Sequence, residues 1–227
     1  MATTNRVITI EGNIGSGKTT LLTNLKKIFE QNTNIVFLRE PVDEWESIKD
    51  AEGTSMLQKF YADQEKYSFS FQMMAYISRL ALLKEAMKKH PGAIIITERS
   101  LYTDKFVFAK MLHDMKKIED VNYQIYTKWF DAFAQECPIH QCVYVKTDPE
   151  VCYERILKRS RSGEHNIPLS YLTICDEYHD SMISNLLPMF KRGEQDLIVL
   201  DGNIDIYCCP EELENWVQKI TKLMHKA

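Results

Sequence analysis

The sequence lacks any run of about 18 apolar residues, the length that a membrane-spanning helix requires. It also leaves only about five residues before the first predicted strand, which is too few for a signal or transit sequence. We therefore expect a cytoplasmic protein with no membrane partner.

Cysteines with paired spacing are also missing. The six cysteines are Cys137, Cys142, Cys152, Cys175, Cys208 and Cys209. They form no C-x-x-C motif and no disulfide framework, so we expect free thiols in a reducing compartment. Cys137, His140 and Cys142 are one local metal-like group, but a second Cys/His pair is lacking. Ordinary burial, rather than a zinc site, is the expectation for these three residues.

An excess of positive charge is absent as well. The 227 residues include 28 Lys and Arg against 32 Asp and Glu, a formal net charge of −4. Nucleic-acid binding usually requires a surplus of basic side chains on one face, so we expect no nucleic-acid partner. No repeat or composition break divides the chain. We predict one domain over residues 1–227, long enough to bury roughly 70% of its unfolded surface.

The most informative feature that is present is a glycine-rich segment, Gly12-x-x-x-x-Gly17-Lys18-Thr19. An apolar strand precedes it and a helix is predicted to begin near Gly17, which is the context of a phosphate-binding loop. Lys18 can reach the terminal phosphates, Thr19 can hold Mg²⁺, and the helix dipole attracts the same anion. The predicted nucleotide-binding residues are Gly12, Asn13, Ile14, Gly15, Ser16, Gly17, Lys18, Thr19 and Thr20.

Five apolar segments alternate with helical stretches along the chain. They lie at residues 7–10, 35–38, 93–97, 142–146 and 197–200. Strands that are apolar on both faces and separated by helices predict an α/β fold with a five-stranded parallel sheet. Ligands of such sheets bind beyond the carboxyl ends of the strands. Two of those positions carry carboxylates, Glu40 and Glu98, which a purely structural connection does not need.

Residues 54–90 contain neither glycine nor proline and show helical periodicity. One stripe is apolar, with Phe69, Met73, Tyr76, Leu80, Leu83 and Met87, and is expected to be core or dimer surface. A second face carries Gln72, Ala75 and Arg79. Further helices are predicted at residues 121–136, 168–187 and 210–224.

Three classes of protein share such a phosphate loop. A GTPase switch reads guanine with Asn-Lys-x-Asp, but Val145-Lys146-Thr147-Asp148 lacks the asparagine. A nucleoside monophosphate kinase holds an acceptor that is already anionic. A kinase that acts on a hydroxyl profits from a carboxylate that accepts the proton. Glu40 is a candidate for that carboxylate, although an acid at a helix N-terminus is the simpler explanation for this residue alone.

Several motifs, in order and over nearly the whole chain, resemble the cellular and viral deoxynucleoside kinases. They are EGNIGSGKTT, EPVDEW, SFSFQ, ITERSLYTD and ERILKRSRSGE. The resemblance implies a P-loop kinase fold with a short lid at about 158–166. It also implies a homodimer, and transfer of the γ-phosphate of ATP to a deoxynucleoside. Thymidylate kinase, a monophosphate kinase, shares the loop and Arg39-Glu40-Pro41. It would be expected to continue with glycines, whereas this chain has Val42 and Trp45.

The resemblance also implies the roles of the reacting groups. Glu40 is similar to the general base that accepts the proton of the 5′-hydroxyl, with Arg99 orienting it. Glu98 is similar to the second Mg²⁺-side residue beside Thr19. The basic run with Arg155, Lys158, Arg159 and Arg161 resembles the lid and helix that close over the phosphates. Asp205 resembles, more weakly, a loop that touches the donor base, because Ile206 stands where an aromatic residue is expected.

On the acceptor side, Tyr61 and Glu164 are similar to a pair that binds the sugar 3′-hydroxyl, and Gln72 to the residue that binds the base edge. On one unbroken helix, Tyr61 and Gln72 would lie about 16 Å apart, longer than a nucleoside. We therefore predict a break at 62–64 with Asp63 as the new N-cap. Further candidates for the wall around the base are Trp45, Leu57, Phe60, Phe71 and Phe108, although apolar and aromatic side chains at such spacing are as often simply core.

The resemblance further implies that base selectivity depends on Arg79 and Asp104, because deoxycytidine and deoxyguanosine kinases carry an Arg and an Asp at these places, whereas thymidine-accepting enzymes have small or apolar residues there. An ionised Asp104 can accept a hydrogen bond from a base amino group, and Arg79 can hold the carboxylate in place. Thymine offers a methyl and a carbonyl instead. The expected acceptors are deoxyadenosine, deoxyguanosine and deoxycytidine, with poor use of thymidine. The choice among these three and between ATP and UTP stays open, as does a P-loop protein that binds nucleotide without phosphorylating anything.

Overall fold

The computed structural model describes residues 4–159, 167–186, 188 and 196–225. Its strands are β1 (Arg6–Glu11), β2 (Ile35–Leu38), β3 (Ile94–Glu98), β4 (Gln141–Lys146) and β5 (Leu197–Asp201). All neighbouring strands are parallel, in the order β2-β3-β1-β4-β5. The predicted five-stranded parallel sheet is confirmed, and the two carboxylate-bearing strand ends, β2 and β3, lie side by side.

The helices cover both faces of this sheet. Before β3 they are α1 (Lys18–Ile28), α2 (Val42–Ser47), α3 (Met56–Ala62) and α4 (Gln64–Lys89). Between β3 and β4 they are α5 (Leu101–Thr103), a π-helical turn (Asp104–Ala109), α6 (Lys110–Asp114), α7 (Asp120–Phe133) and a 3₁₀ turn (Ala134–Glu136). The last three are α8 (Pro149–Arg159), α9 (Leu169–Leu186) and α10 (Pro210–His225).

Alternate residues of each central strand pack on opposite faces of the sheet. On one face, Ile8 and Ile10 of β1 pack with Leu21 of α1 and Trp216 of α10. On the other, Val7 packs in a cluster formed largely by α4 and α7. All are buried, and each large apolar side chain removed from water contributes about 1.5–3 kcal/mol. The sheet is thus fixed between two helical layers.

The predicted helix break is present. Helix α3 ends at Ala62, α4 begins at Gln64, and the carboxylate of Asp63 accepts a hydrogen bond from the backbone N–H of Lys66 at 3.1 Å. An N-cap of this kind satisfies a backbone donor that the helix leaves unpaired. The break lets Tyr61 and Gln72 line one cavity.

The basic segment is only partly described. Lys158 and Arg159 belong to the last turn of α8. The rest of the predicted lid, including Arg161 and Glu164, lies outside the described residues, so their predicted roles stay predictions. None of the helices in the described parts of the chain is long and apolar enough to cross a membrane.

Candidate active site

The phosphate loop connects β1 to α1 and packs tightly on β4 and α8. Gly12 has φ +145°, and a Cβ there would lie 2.5 Å from the Val145 carbonyl oxygen. A Cβ on Gly15, at φ +82°, would lie 2.6 Å from the Cys152 carbonyl oxygen. Both positions therefore require glycine. Helix α1 begins directly afterwards at Lys18, so the positive end of its dipole faces the loop.

Lys18 is buried inside this loop. Its ammonium group donates to the Asn13 carbonyl oxygen at 2.6 Å. Burial, assisted by the charge of Arg99, lowers the pKa of Lys18 to about 7, although Glu98 and Glu40 oppose the shift. A bound phosphate would favour the charged form, because an adjacent opposite charge stabilises it.

A candidate metal site lies at the start of α1. The Thr19 hydroxyl donates to the carboxylate of Glu98, which is buried at the end of β3. A hydroxyl and a carboxylate beside a phosphate loop fit Mg²⁺, which takes few protein ligands and keeps phosphate oxygens and waters around it. Within the described parts of the chain, no cluster of three or more His, Cys, Asp or Glu side chains forms a separate metal site.

Four charged side chains that line the same cavity form a network. Glu40 follows β2, Arg79 lies on α4, Arg99 follows β3, and Asp104 begins the π-helical turn. Arg79 donates to Asp104 through Nε at 2.9 Å and to Glu40 through Nη2 at 2.9 Å. The Nε atom of Arg99 lies 3.2 Å from the same Glu40 oxygen, as an ion pair. Glu40 therefore lies between two guanidinium groups.

The network sets the charge of its carboxylates. Burial alone would raise the pKa of Glu40, but Arg99 and Arg79 more than reverse this effect, and the pKa falls to about 2. Burial raises the pKa of Asp104 to about 6 in spite of Arg79. Burial also opposes the charge of Arg79, but Asp104 and Glu40 outweigh it and its pKa is raised. At neutral pH Glu40 is thus fully ionised and Asp104 is mostly ionised.

The backbone at Arg99 is strained. Its φ of +64° lies in the left-handed region, which is uncommon for a residue with a long side chain. Hydrogen bonds hold it there: the Arg99 N–H donates to the Ile10 carbonyl at 3.0 Å, and the Thr97 hydroxyl donates to the Arg99 carbonyl at 2.7 Å. This conformation lets Nη1 donate to the Gly12 carbonyl at 2.8 Å. Arg99 therefore links the phosphate loop to Glu40.

Aromatic side chains enclose the inner end of the cavity. The rings of Phe60 and Phe71 stack at 4.4 Å, and Trp45 meets Phe71 edge-on at 5.6 Å. The Trp45 indole N–H is fixed by the Ser78 hydroxyl at 2.8 Å. Gln72 is 2% exposed, and its Oε1 has no hydrogen-bond partner among the described residues. An unpaired buried amide oxygen is costly, so this wall can accept a ligand N–H.

The outer end of the cavity is formed by α8 and the loop after β5. Arg155 donates to the Gly202 carbonyl at 2.7 Å and lies with Asp205 at the cavity wall. Ile206 points into the core with Trp216, whereas the next residue, Tyr207, is 76% exposed. The aromatic side chain that the family resemblance led us to expect at 206 is therefore absent there, and one is present at 207.

All these groups surround one cavity of about 330 Å³, a size typical of small-molecule sites. The predicted residues that line it are Ile14, Gly15, Ser16, Gly17, Lys18, Thr19, Thr20, Glu40, Trp45, Leu57, Phe60, Tyr61, Phe71, Gln72, Arg79, Glu98, Arg99, Asp104, Phe108, Arg155, Arg159 and Asp205. Among the predicted site residues that the structure describes, two do not line it. Gly12 is covered by β4, and Asn13 is buried with its amide donating to the Leu172 carbonyl at 2.8 Å.

Sequence reasoning missed several features of the site. It predicted a contact of Arg79 with Asp104 but not with Glu40. The Arg79 guanidinium group contacts both carboxylates, and this geometry depends on how α4 crosses β2 and β3. It also missed Tyr171 and Tyr207 in the cavity wall. For Tyr207, the signal available in the sequence was its position two residues after the predicted site residue Asp205. All six cysteines are free, as predicted, with Cys137 and Cys142 buried, and His140 accepts a hydrogen bond from the Val7 N–H at 3.1 Å.

Comparison with known proteins shows which family this chain belongs to. The family model for deoxynucleoside kinases matches residues 8–225. A probable deoxycytidine kinase of fowlpox virus is 35% identical over 184 residues, covering 80% of this chain and 73% of the viral protein. Human deoxycytidine kinase is 30% identical and covers 96% of this chain and 90% of its own. Human mitochondrial thymidine kinase 2 is 32% identical, covering 81% of this chain and 67% of its own.

Proposed function

Because the chain belongs to the deoxynucleoside kinase family of phosphotransferases, we propose that it transfers the γ-phosphate of ATP to the 5′-hydroxyl of a deoxynucleoside. The observation that carries this proposal is the position of Glu40, a carboxylate held between Arg99 and Arg79 in the cavity that also contains the phosphate loop. A monophosphate acceptor is already anionic and needs no base, whereas a hydroxyl acceptor profits from a carboxylate that takes its proton.

Glu40 is the proposed general base. With a pKa of about 2 it is ionised throughout the physiological range, but it is a weak base toward a neutral hydroxyl. Phosphoryl transfer has a loose transition state, in which the hydroxyl becomes acidic only as its bond to phosphorus forms. Glu40 therefore orients the hydroxyl first and accepts its proton late, while Arg99 holds the carboxylate toward the loop.

The donor phosphates are proposed to lie in the loop. Lys18 would neutralise part of their negative charge, and Arg159 would cover them. Thr19 and Glu98 would hold Mg²⁺, which when bound neutralises charge on the β- and γ-phosphates. Arg155 and Asp205 are proposed to lie beside the donor base. Nothing in these contacts favours ATP over UTP, so ATP is the simplest donor to test first.

The acceptor base is proposed to lie between the aromatic walls, with its edge at Gln72 and Asp104. Asp104 is ionised and fixed by Arg79, so it favours bases that present an amino group. Deoxyadenosine, deoxyguanosine and deoxycytidine are the proposed acceptors, and thymidine is disfavoured. Tyr61 is proposed to bind the 3′-hydroxyl together with Glu164.

We further propose a homodimer. Val121, Ile125, Trp129 and Phe133 recur every four residues on α7 and are 39–58% exposed. This apolar stripe on an acidic protein fits the equivalent stripe of a second copy. Sedimentation of the double variant Ile125→Lys/Trp129→Glu should give monomers. Ile28→Glu, an exposed apolar position on α1, should leave the dimer intact, and a monomeric wild-type protein would contradict the proposal.

One panel tests the catalytic proposal. ADP release is followed with Mg-ATP and, separately, each deoxynucleoside and thymidine monophosphate. Turnover with the amino-bearing deoxynucleosides supports the proposal. Turnover of the monophosphate alone would instead assign a thymidylate-type kinase, and no turnover with any acceptor would favour a nucleotide-binding protein without kinase activity. A cytoplasmic location stays a prediction from the sequence.

A further inference from the structure

His179 lies behind the reacting groups on α9, fully buried and outside the cavity lining. Its two ring nitrogens have different partners. Nδ1 lies 2.6 Å from the Cys175 carbonyl oxygen, one turn earlier on the same helix. Nε2 lies 3.2 Å from Nη1 of Arg99. Nothing in the sequence motifs pointed to this residue.

The partners of His179 determine which nitrogen carries the proton. A carbonyl oxygen can only accept, so Nδ1 must be the N–H donor. An arginine can only donate, so Nε2 must be the acceptor. His179 is therefore the neutral Nδ1–H tautomer. Burial, together with the charge of Arg99, lowers its pKa well below the usual value, which agrees with a neutral ring.

The contact to Arg99 restrains a side chain that starts from a strained backbone. Nη1 of Arg99 has two hydrogens, and the Gly12 carbonyl and His179 Nε2 supply its two acceptors. The ring of Phe108 packs against both groups, 5.0 Å from the Arg99 guanidinium carbon and 6.1 Å, edge-on, from the His179 ring. With Nη1 fixed on that side, Nε of Arg99 stays beside Glu40.

We propose that His179 is a positioning residue for phosphoryl transfer, which holds Arg99 against Glu40 and the phosphate loop through an Nη1–H···Nε2 hydrogen bond. The inference rests on the proposed transfer to the 5′-hydroxyl. His179 is not expected to touch either substrate. Its loss should therefore lower kcat and leave the KM of the deoxynucleoside nearly unchanged, because a misplaced orienting group weakens the transition state more than the ground state.

Two substitutions separate this role from a merely structural one. His179→Gln can place its Oε1 near the position of Nε2 and still accept from Arg99. His179→Asn can place its Nδ2 near Nδ1 and keep the bond to Cys175, but it is too short to reach Arg99. We expect His179→Gln to retain kcat within about threefold and His179→Asn to lose about 10- to 100-fold, with KM within about threefold for both.

A double-mutant cycle locates the effect. In an Arg99→Lys background, His179→Asn should have little further effect on kcat, because the contact that it removes is already gone. Equal kcat for the wild type and His179→Asn would overturn the inference, as would a full additional loss in the Arg99→Lys background. Thermal unfolding of both His179 variants checks that neither has simply failed to fold, and equal losses in the Gln and Asn variants would also count against the inference.

The wild-type protein is assayed in the same series, so that a failure of this inference can be distinguished from a failure of the proposed function on which it rests. If the wild type phosphorylates no deoxynucleoside, the proposed function fails and the role of His179 fails with it. If the wild type turns over and His179→Asn matches it, only the role of His179 is lost.

Discussion

The phosphate loop and the acceptor wall of the cavity are built in different ways. The loop is one continuous stretch, residues 12–19, whose shape follows from glycine backbone angles and the start of one helix. The acceptor wall assembles Glu40, Arg79, Arg99 and Asp104 from four separate segments through ion pairs. The first depends on local sequence, and the second on the tertiary fold.

This difference has a functional meaning. A backbone cradle recognises phosphates whatever nucleoside carries them, because the N–H groups of the chain contact no base. A network of buried side chains can be selective, because an unpaired buried charge is costly and an incorrect acceptor leaves one. The loop should therefore tolerate changes in the acceptor wall, and the acceptor wall changes in the loop, except at Arg99, whose Nη1 donates to the Gly12 carbonyl of the loop.

The largest effect on activity is expected for Glu40→Gln, which changes the acceptor wall and leaves the phosphate loop intact. It removes the proposed base and keeps the volume, so kcat should fall about 10²- to 10⁴-fold. Affinity for Mg-ATP should change by less than about threefold, because the phosphate loop is untouched. Steady-state kinetics with deoxycytidine measure the first effect. Glu44→Gln, the same substitution at an exposed position on α2, is the control, and a Glu40 variant as active as this control would contradict the role of Glu40.

The double variant Arg79→Met/Asp104→Ala tests selectivity. Both charges are removed together, so that neither is left buried without its partner. Loss of a hydrogen bond to a charged group, about 1.5–3 kcal/mol, should reduce the preference for deoxycytidine over thymidine by about 10- to 150-fold. Competition between the two nucleosides at equal concentration gives the ratio of kcat/KM. An unchanged ratio would show that Asp104 does not read the base.

A smaller effect is expected at the helix break that brings Tyr61 and Gln72 to the same cavity. Asp63→Ala removes the N-cap of α4 and should lower the free energy of unfolding by about 1 kcal/mol. Thermal or denaturant unfolding measures this loss. Asp63→Asn can still accept the Lys66 N–H and should lose less than about half of that amount. Equal stability of the Ala and Asn variants would show that the cap is not the source of the effect.

The smallest effect concerns pH. Glu40 must be ionised to act, so activity is lost as the pH falls through its pKa, which Arg99 and Arg79 hold at about 2. The wild-type kcat/KM should therefore show no acid limb from Glu40 down to about pH 5, whereas a limb near pH 6 reports Asp104, whose pKa burial raises to about 6. The reference is therefore Asp104→Ala, which lacks that group. Relative to it, Arg79→Met/Asp104→Ala has lost one of the two guanidinium groups beside Glu40, so the pKa of Glu40 should rise and its acid limb should lie at higher pH. A limb at the same pH in these two variants would mean that Arg79 does not act on Glu40.

The same contrast explains what the sequence could predict. The five strands, the loop and the break at Asp63 depend on apolar runs, glycine spacing and capping, which are local signals. The cavity residues Glu40, Gln72 and Asp104 were predicted because their motifs resemble a known family. The contact of Arg79 with Glu40 and the contact of His179 with Arg99 depend on the directions of side chains from four different elements. No local sequence pattern specifies those contacts, so they could be identified only from the three-dimensional structure.

Equilibrium titrations of Lys18→Met and Glu40→Gln test the separation of the two halves most directly. Each variant is titrated with Mg-ATP and, independently, with a deoxynucleoside that the wild type phosphorylates. Lys18→Met should lose at least about tenfold in affinity for Mg-ATP while it keeps the deoxynucleoside, and Glu40→Gln should keep Mg-ATP. A variant that weakens both ligands to the same extent would contradict an active site built from a local phosphate cradle and a separate acceptor wall.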